Sequence, residues 1–247
     1  MGFLEHLEEL RRRILYSIVA VAVGFFLCWG YAEKIFELMQ RPIMQALQRN
    51  GLSEKLVYLN PTEPFNLYLK IGAMAGLFVA SPFVLYQVWL FISPGLYRNE
   101  KRYVMPFMFS TVALFLGGGY FGYRLVYPQA LEFLIGYGKQ FQPMITIGEY
   151  TDLFLTIIIG LGAIFEMPIL VFFLALMGIV NAGWMWRNLR YSILVIFIIA
   201  AILTPTTDIL NMCIFAAPMV ALYMISIGIA WLVHPTQRKK RAEKKGP

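Results

Sequence analysis

Apolar residues run through this chain in six stretches, at 14–31, 65–92, 104–127, 153–177, 191–203 and 209–233, with polar or glycine–proline punctuation between them. A helix needs about 20 apolar residues to cross a bilayer. The pattern therefore predicts an all-α polytopic membrane protein, a single transmembrane domain over residues 1–247 with six transmembrane helices. The fifth stretch, 191–203, is short: at a rise of about 1.5 Å per residue it covers roughly 20 Å of a hydrocarbon core about 30 Å thick. Such a span thins the bilayer or is shielded by its neighbours. Ahead of the first span, Phe3, Leu7, Leu10 and Ile14 recur at helical spacing. They predict a short amphipathic helix over 3–13 that runs into it. The long connection 32–64 carries Phe36, Met39, Ile43 and Leu47 at the same period. A second amphipathic helix is expected there, broken or kinked at Pro42. Asn60-Pro61 and Glu63-Pro64 then mark turns, and Ser93-Pro94-Gly95 marks the sharpest turn on the opposite side. Gly117, Gly118, Gly119 and Gly122 in the third span invite close approach of a neighbouring helix. Pro218 is expected to kink the sixth span.

The distribution of basic residues orients the pattern. Arg11, Arg12, Arg13, Arg98, Lys101, Arg102, Arg187, Arg190 and the tail residues Arg238, Lys239, Lys240, Arg241, Lys244 and Lys245 fall on one side of the six predicted spans. Lys34, Arg41, Arg49, Lys55 and Lys139 fall on the other. Basic loops stay cytoplasmic, so both termini, including the basic tail 234–247, are expected on the cytoplasmic side of the inner membrane. Retention beside an anionic leaflet accounts for the +7 formal charge without a nucleic-acid partner. The first stretch follows three arginines, as a signal peptide would. It closes on Cys28-Trp29-Gly30-Tyr31, with no small-x-small cleavage site, and reads as an uncleaved span.

Composition narrows the chemistry further. The chain is 59% hydrophobic and 14% charged, far from the balance of a soluble domain. Cys28 and Cys213 lie in apolar stretches and form no CxxC pair, and His6 and His234 sit near opposite ends. No metal cluster, phosphate-binding glycine loop or nucleophile–base pair is visible, so no cofactor and no enzymatic activity is expected. Three carboxylates stand out instead. Glu166 lies near the middle of 153–177, a run with no other charged side chain, where an unbroken helix would hold it close to the bilayer midplane. A charge there costs several kcal/mol on most scales, so it is kept because it is neutralised, paired or used. Pro168, two residues on, removes a hydrogen bond to the Ile164 carbonyl, and a protonated Glu166 can donate to such a freed group or to a polar side chain on another helix. Glu100 has no basic residue three or four positions away, whereas Glu9 has Arg12 and Arg13 within reach. Glu8–Arg12 and Glu9–Arg13 are i,i+4 pairs in the favourable order. Glu9 and Glu100 share the expected cytoplasmic surface, and two carboxylates presented together suit a ligand with two guanidinium groups. On the residues alone three readings stand: a receptor of this kind, a proton-coupled transporter with Glu166 as carrier, and a ligand-free membrane scaffold.

Four segments carry a resemblance to a known family. His6 to Arg13, Tyr86 to Tyr97 followed by Glu100, Phe165-Glu166-Met167-Pro168, and Leu203-Thr204-Pro205 with Asp208 are similar, in order and over almost the whole chain, to motifs of the TatC family. That family is the multispanning receptor subunit of the twin-arginine protein translocase. The resemblance implies a concave, glove-like bundle of six helices that binds the twin-arginine signal peptides of folded cargo proteins. It places Glu9 and Glu100 at the positions expected to hold the arginines, Phe91 in the same cytoplasmic site, and Arg11 in the N-terminal motif. Glu166 falls at the buried polar position of the concave face, and Pro42, Phe65 and Asp208 at outer cap and turn positions. It also implies single-span partners of the TatA and TatB type, a homo-oligomer within a larger complex, and export driven by the proton-motive force.

Overall fold

In the computed structural model the chain is almost entirely helical. The structure describes residues 3–52, 55–92, 104–138, 141, 144–204 and 209–244. The helices are α1 (Phe3–Trp29), α2 (Ala32–Arg49), α3 (Glu63–Ile92), α4 (Val104–Phe121), α5 (Tyr127–Tyr137), α6 (Ile147–Phe165), α7 (Met167–Leu176), α8 (Ala182–Arg187), α9 (Leu189–Leu203) and α10 (Ile209–Lys244). A π-helical turn, Gly122–Val126, joins α4 to α5. Among the described residues the sole β feature is an isolated bridge between Val57 and Thr146, closed by the bonds Val57 N–H to Ile145 and Ile147 N–H to Val57. It ties the connection after α2 to the start of α6.

Among the described residues, four helical stretches are long and apolar enough to cross a membrane: Glu5–Trp29, Glu63–Phe91, Ile147–Leu176 and Met212–Leu232, with Leu189–Leu203 as a shorter apolar helix. The amphipathic N-terminus and first span form one continuous helix, and the third apolar stretch runs on through the π turn as far as Tyr137. Glu166 does not sit in an unbroken helix. The ladder breaks there, with Glu166 capping the end of α6 and the start of α7, because Pro168 brings no N–H to the Ile164 carbonyl. Pro42, in contrast, does not break α2, which runs unbroken from Ala32 to Arg49. Pro218 likewise lies within an unbroken α10.

Packing follows from where side chains are small. α1 lies against α3 at a crossing where a Cβ on Gly76 would fall 2.5 Å from the Phe25 amide nitrogen and one on Gly24 would fall 2.6 Å from the Gly76 carbonyl oxygen. Backbone meets backbone there, which only glycine permits. α4 meets α6 in the same way: a Cβ on Gly118 would stand 2.7 Å from the Leu161 carbonyl oxygen. Gly119 faces the Phe78 ring of α3, Gly122 faces Leu161 and Ile158, and Gly117 faces open space. The row continues from α6 and α7 to α10 and then α9. The best-packed core lies at the α2 end, where Met39, Ile43 and Leu47 of α2 join Ala130, Leu131 and Ile135 of α5 and Tyr150, Phe154 and Ile157 of α6 in one buried cluster. The amphipathic α2 is thus a cap laid over the end of the bundle.

Candidate functional site

At the bundle end opposite α2, the start of α1 packs on the end of α3. Both helices run long enough past the Gly24–Gly76 crossing to set their polar ends side by side. Arg13 donates from Nη2 to Glu9 Oε1 at 3.2 Å and from Nη1 to Gln87 Oε1 at 3.1 Å. Gln87 is 5% exposed, so the guanidinium is pinned from the α3 side by a buried amide. One turn beyond, the His6 imidazole stacks on the Phe91 ring, centroids 4.4 Å apart and planes 17° apart. Glu9 therefore presents two different oxygens. Oε1 is held by Arg13, while Oε2 is buried and has no partner among the described residues. A buried carboxylate oxygen without a donor is costly, and a charge-assisted donor supplied from outside would relieve it. Of the two expected i,i+4 pairs, Glu9–Arg13 forms. Glu8 and Arg12, both exposed, are not within ion-pair distance. Water competes with an exposed pair, and no Gln87 holds it.

The structure brings Glu9, Arg13, Gln87, His6 and Phe91 together. Arg11 is exposed on α1 and stands apart from the cluster. Glu100 and Asp208 lie outside the described residues. Glu166 stands at the α6–α7 break, half-buried, with Oε1 buried and unpartnered among the described residues. Its neighbour Phe165 packs on Gly118 and on the Phe121 ring, centroids 5.4 Å apart, so the break is held against α4.

At the cap end, Pro42 explains an unusual bond. Lacking an N–H, it leaves the Leu38 carbonyl without its helical donor, and the Tyr123 hydroxyl donates to that carbonyl at 2.8 Å. The π turn that contains Tyr123 aims it there. The Tyr150 hydroxyl donates to the next carbonyl, Met39. Arg49 pairs with Glu132 at 2.9 Å, linking α2 to α5, and Lys70 of α3 pairs with Asp152 of α6. Phe65 is 60% exposed at the start of α3.

Sequence reasoning missed several of these positions. Gln87 sits inside a quoted motif but was assigned no role; a lone amide on an apolar helix was the available signal. Lys70 is a solitary charge near the start of the second stretch, and Asp152 stands immediately before the fourth, so their pairing was open to inspection. Gly72 and Gly76 stand four residues apart in the second stretch and Ala20 and Gly24 do the same in the first, a small-residue spacing that marks closely packed helix faces and was the signal available for this crossing.

The sequence model of the family described as Sec-independent protein translocase protein (TatC) matches residues 5–218. A Sec-independent protein translocase protein TatC of Koribacter versatilis is 75% identical over 243 residues, covering 98% of this chain and 90% of that one. The TatC of Aquifex aeolicus is 35% identical over 247 residues, covering 99% and 100% of the two chains. A solved structure described as the twin arginine translocase receptor TatC superposes with a TM-score of 0.82 at 34% identity, over 92% of this chain and 99% of that one.

Proposed function

Because the chain belongs to the TatC family of Sec-independent protein translocase proteins, we propose that it is the receptor subunit that takes twin-arginine signal peptides of folded proteins at its cytoplasmic face. It is a membrane transport protein and its family is not one of catalysts. In this reading Glu9 and Glu100 each accept one guanidinium of the ligand, Phe91 lines the same site, and Arg11 adds to its basic rim. Both termini lie in the cytoplasm, on the side where the basic loops collect. Glu166 serves a later step, toward single-span TatA- and TatB-type partners, in a complex that holds more than one copy of this chain and is driven by the proton-motive force.

The observation that carries the reading is the state of Glu9. Its Oε2 is buried without a donor among the described residues, on the pair of helices whose second member, α3, precedes the segment carrying Glu100 in the sequence. The resident Arg13 already shows that this carboxylate accepts a guanidinium in this setting. The solved relative described as a twin arginine translocase receptor supports the same ligand class.

The test is titration of a twin-arginine peptide against the reconstituted protein. A charge-assisted bond is worth about 1.5–3 kcal/mol. Glu9→Gln and Glu100→Gln should therefore each weaken binding by about tenfold or more. Replacing the ligand's arginines with lysines should weaken it too, since an ammonium does not copy the guanidinium fork. Affinity unchanged in all three arms removes the pairing.

A further inference from the structure

The connection between α7 and α9 combines features that the receptor reading does not use. α8 is a single short turn of helix, started by the Asn181 side chain, whose Oδ1 accepts from the Trp184 N–H at 2.8 Å. Its one buried side chain is Met185, 2% exposed. The Tyr223 hydroxyl of α10 donates to the Met185 carbonyl at 3.2 Å and accepts from the Ser192 hydroxyl at 2.7 Å. Tyr223 is itself buried. A buried phenol thus bolts both arms of the elbow, α8 and the first turn of α9, to α10. The elbow is a fixed platform, not a floppy loop.

What the platform displays is aromatic and basic. Trp184, Trp186 and Tyr191 are 50%, 63% and 55% exposed. Arg187 and Arg190 are exposed as well, and among the described residues neither guanidinium has a carboxylate within ion-pair distance. Arg190 lies over the Tyr191 ring at 4.8 Å and donates to its hydroxyl at 3.1 Å. Tyr191 in turn begins the exposed apolar stripe of α9, followed by Leu194, Val195, Ile198 and Ile202 at helical spacing. The cations therefore stand on the membrane-facing side, not on a face turned to bulk water.

Their depth is the informative quantity. The apolar span of α10 ends at Leu232, and Leu232 and Ile229 line one cleft with Phe172 of α7. The elbow is fixed to Tyr223 instead, and the helix from Tyr223 to Leu232 is about 14 Å long at a rise of about 1.5 Å per residue. The elbow is thus anchored about two and a half turns of α10 short of Leu232, a residue of its apolar span. Arginine there is tolerated when headgroups and water are drawn to it. Tryptophan and tyrosine favour that boundary, and guanidinium binds phosphate in a fork.

We propose that the α8–α9 elbow is a binding site for anionic phospholipid headgroups, with Arg187 and Arg190 holding the phosphates and Trp184, Trp186 and Tyr191 fixing the boundary. The site draws the adjacent leaflet inward, so the short α9, 15 residues long, is matched from its elbow end. The inference rests on the membrane-spanning assignment and is independent of the signal-peptide reading.

The experiment uses the full chain in nanodiscs of mixed phosphatidylglycerol and phosphatidylcholine. Native mass spectrometry reads the lipids retained. Fluorescence of a form keeping Trp184 and Trp186, with Trp29, Trp89 and Trp231 changed to Phe, reads depth through quenchers placed at headgroup and acyl positions and through aqueous acrylamide. Phosphatidylglycerol should be enriched on the protein by about fivefold or more, the equivalent of about 1 kcal/mol for one basic side chain at an anionic surface. Arg187→Gln with Arg190→Gln should abolish the enrichment, and the double Lys form should keep most of it. Both arginines are exposed, so neither change removes packing. Headgroup-level quenchers should act more strongly than acrylamide. Equal retention of the two lipids by the unaltered chain, or quenching chiefly by acrylamide, overturns the proposal; the latter makes the elbow a water-facing loop or a docking face for another protein. Twin-arginine peptide affinity is read in parallel, and its loss or retention bears only on the receptor site.

Discussion

The bond between Tyr123 and the Leu38 carbonyl exists because Pro42 cannot make it, and that dependence is measurable. Tyr123→Phe deletes the donor and leaves the carbonyl without a partner. A typical intramolecular hydrogen bond contributes about 0.5–1.5 kcal/mol net, and a buried acceptor left unmade costs more. Leu38 is 49% exposed, so water replaces part of the loss, and about 1 kcal/mol is the expected cost. In a Pro42→Ala background the new amide N–H reaches the Leu38 carbonyl as in any helix, and the same Tyr→Phe change should cost near zero. The double-mutant cycle should thus return a coupling of about 1 kcal/mol, well above the 0.3–0.5 kcal/mol scatter of independent sites. Tyr150→Phe is the control: it bonds Met39, whose helical donor Ile43 retains its N–H, so its cost should be the same in both backgrounds. Reversible unfolding in mixed micelles provides the free energies. Additivity of Tyr123→Phe and Pro42→Ala would mean that the proline and the tyrosine stabilise the cap independently, and the account of the π turn as the device that aims Tyr123 would fall with it.

Further outcomes follow from other contacts. Gly76→Ala should destabilise by about 3 kcal/mol or more, beyond ordinary overpacking because its neighbour is backbone, whereas Gly117→Ala should be neutral; thermal denaturation in detergent decides. Lys70→Ala should cost less than about 1 kcal/mol by the same measurement, since the Lys70–Asp152 pair is 43% and 61% exposed. Glu166→Ala should leave twin-arginine peptide affinity within about twofold, because a change below about 0.4 kcal/mol is expected for a group outside the binding cluster, yet impair export or partner assembly in reconstituted vesicles; wild-type behaviour in both assays would reduce Glu166 to a structural role.

Periodicity carried most of the architecture, and its failures have physical causes. The apolar stretches located the helices because an apolar run has no stable place outside a membrane or a core, and the amphipathic α2 was legible from the spacing of Phe36, Met39, Ile43 and Leu47. Pro42 was read as a break or a kink because propensity treats the lost hydrogen bond as uncompensated. The compensation comes from Tyr123, distant in sequence, and no local pattern announces it. Glu166 was expected within a continuous helix, although Pro168 already contained the reason for the break. Glu166 was visible as an isolated charge, Glu100 as one without a local basic partner, and Glu9 as one with arginines in reach. The setting of Glu9 was not, because it depends on Gln87 reaching across from α3, and that depends on Gly24 and Gly76 letting two backbones touch.

The Glu9 arrangement also bears on why a receptor of this kind would discriminate arginine from lysine. Arg13 occupies Oε1 while tethered to Gln87, so under the proposed function an incoming cation would meet a carboxylate with one oxygen engaged and one without a partner among the described residues. A lysine ammonium can satisfy the bare oxygen but, as a single strongly hydrated point, gains little there against water. A guanidinium can bond the bare oxygen with one N–H and stack its plane on a neighbouring ring with the rest, and the exposed edge of the His6–Phe91 pair lies one turn away. Removing the tether tests this directly. Gln87→Leu frees Arg13 to swing over both oxygens of Glu9, so affinity for a twin-arginine peptide should fall although no ligand-contacting charge has changed. An Arg13→Gln change should reverse that fall. If Gln87→Leu leaves affinity intact, or if Arg13→Gln does not restore it, the two oxygens of Glu9 are equivalent in function and the asymmetry seen between α1 and α3 has no part in recognition.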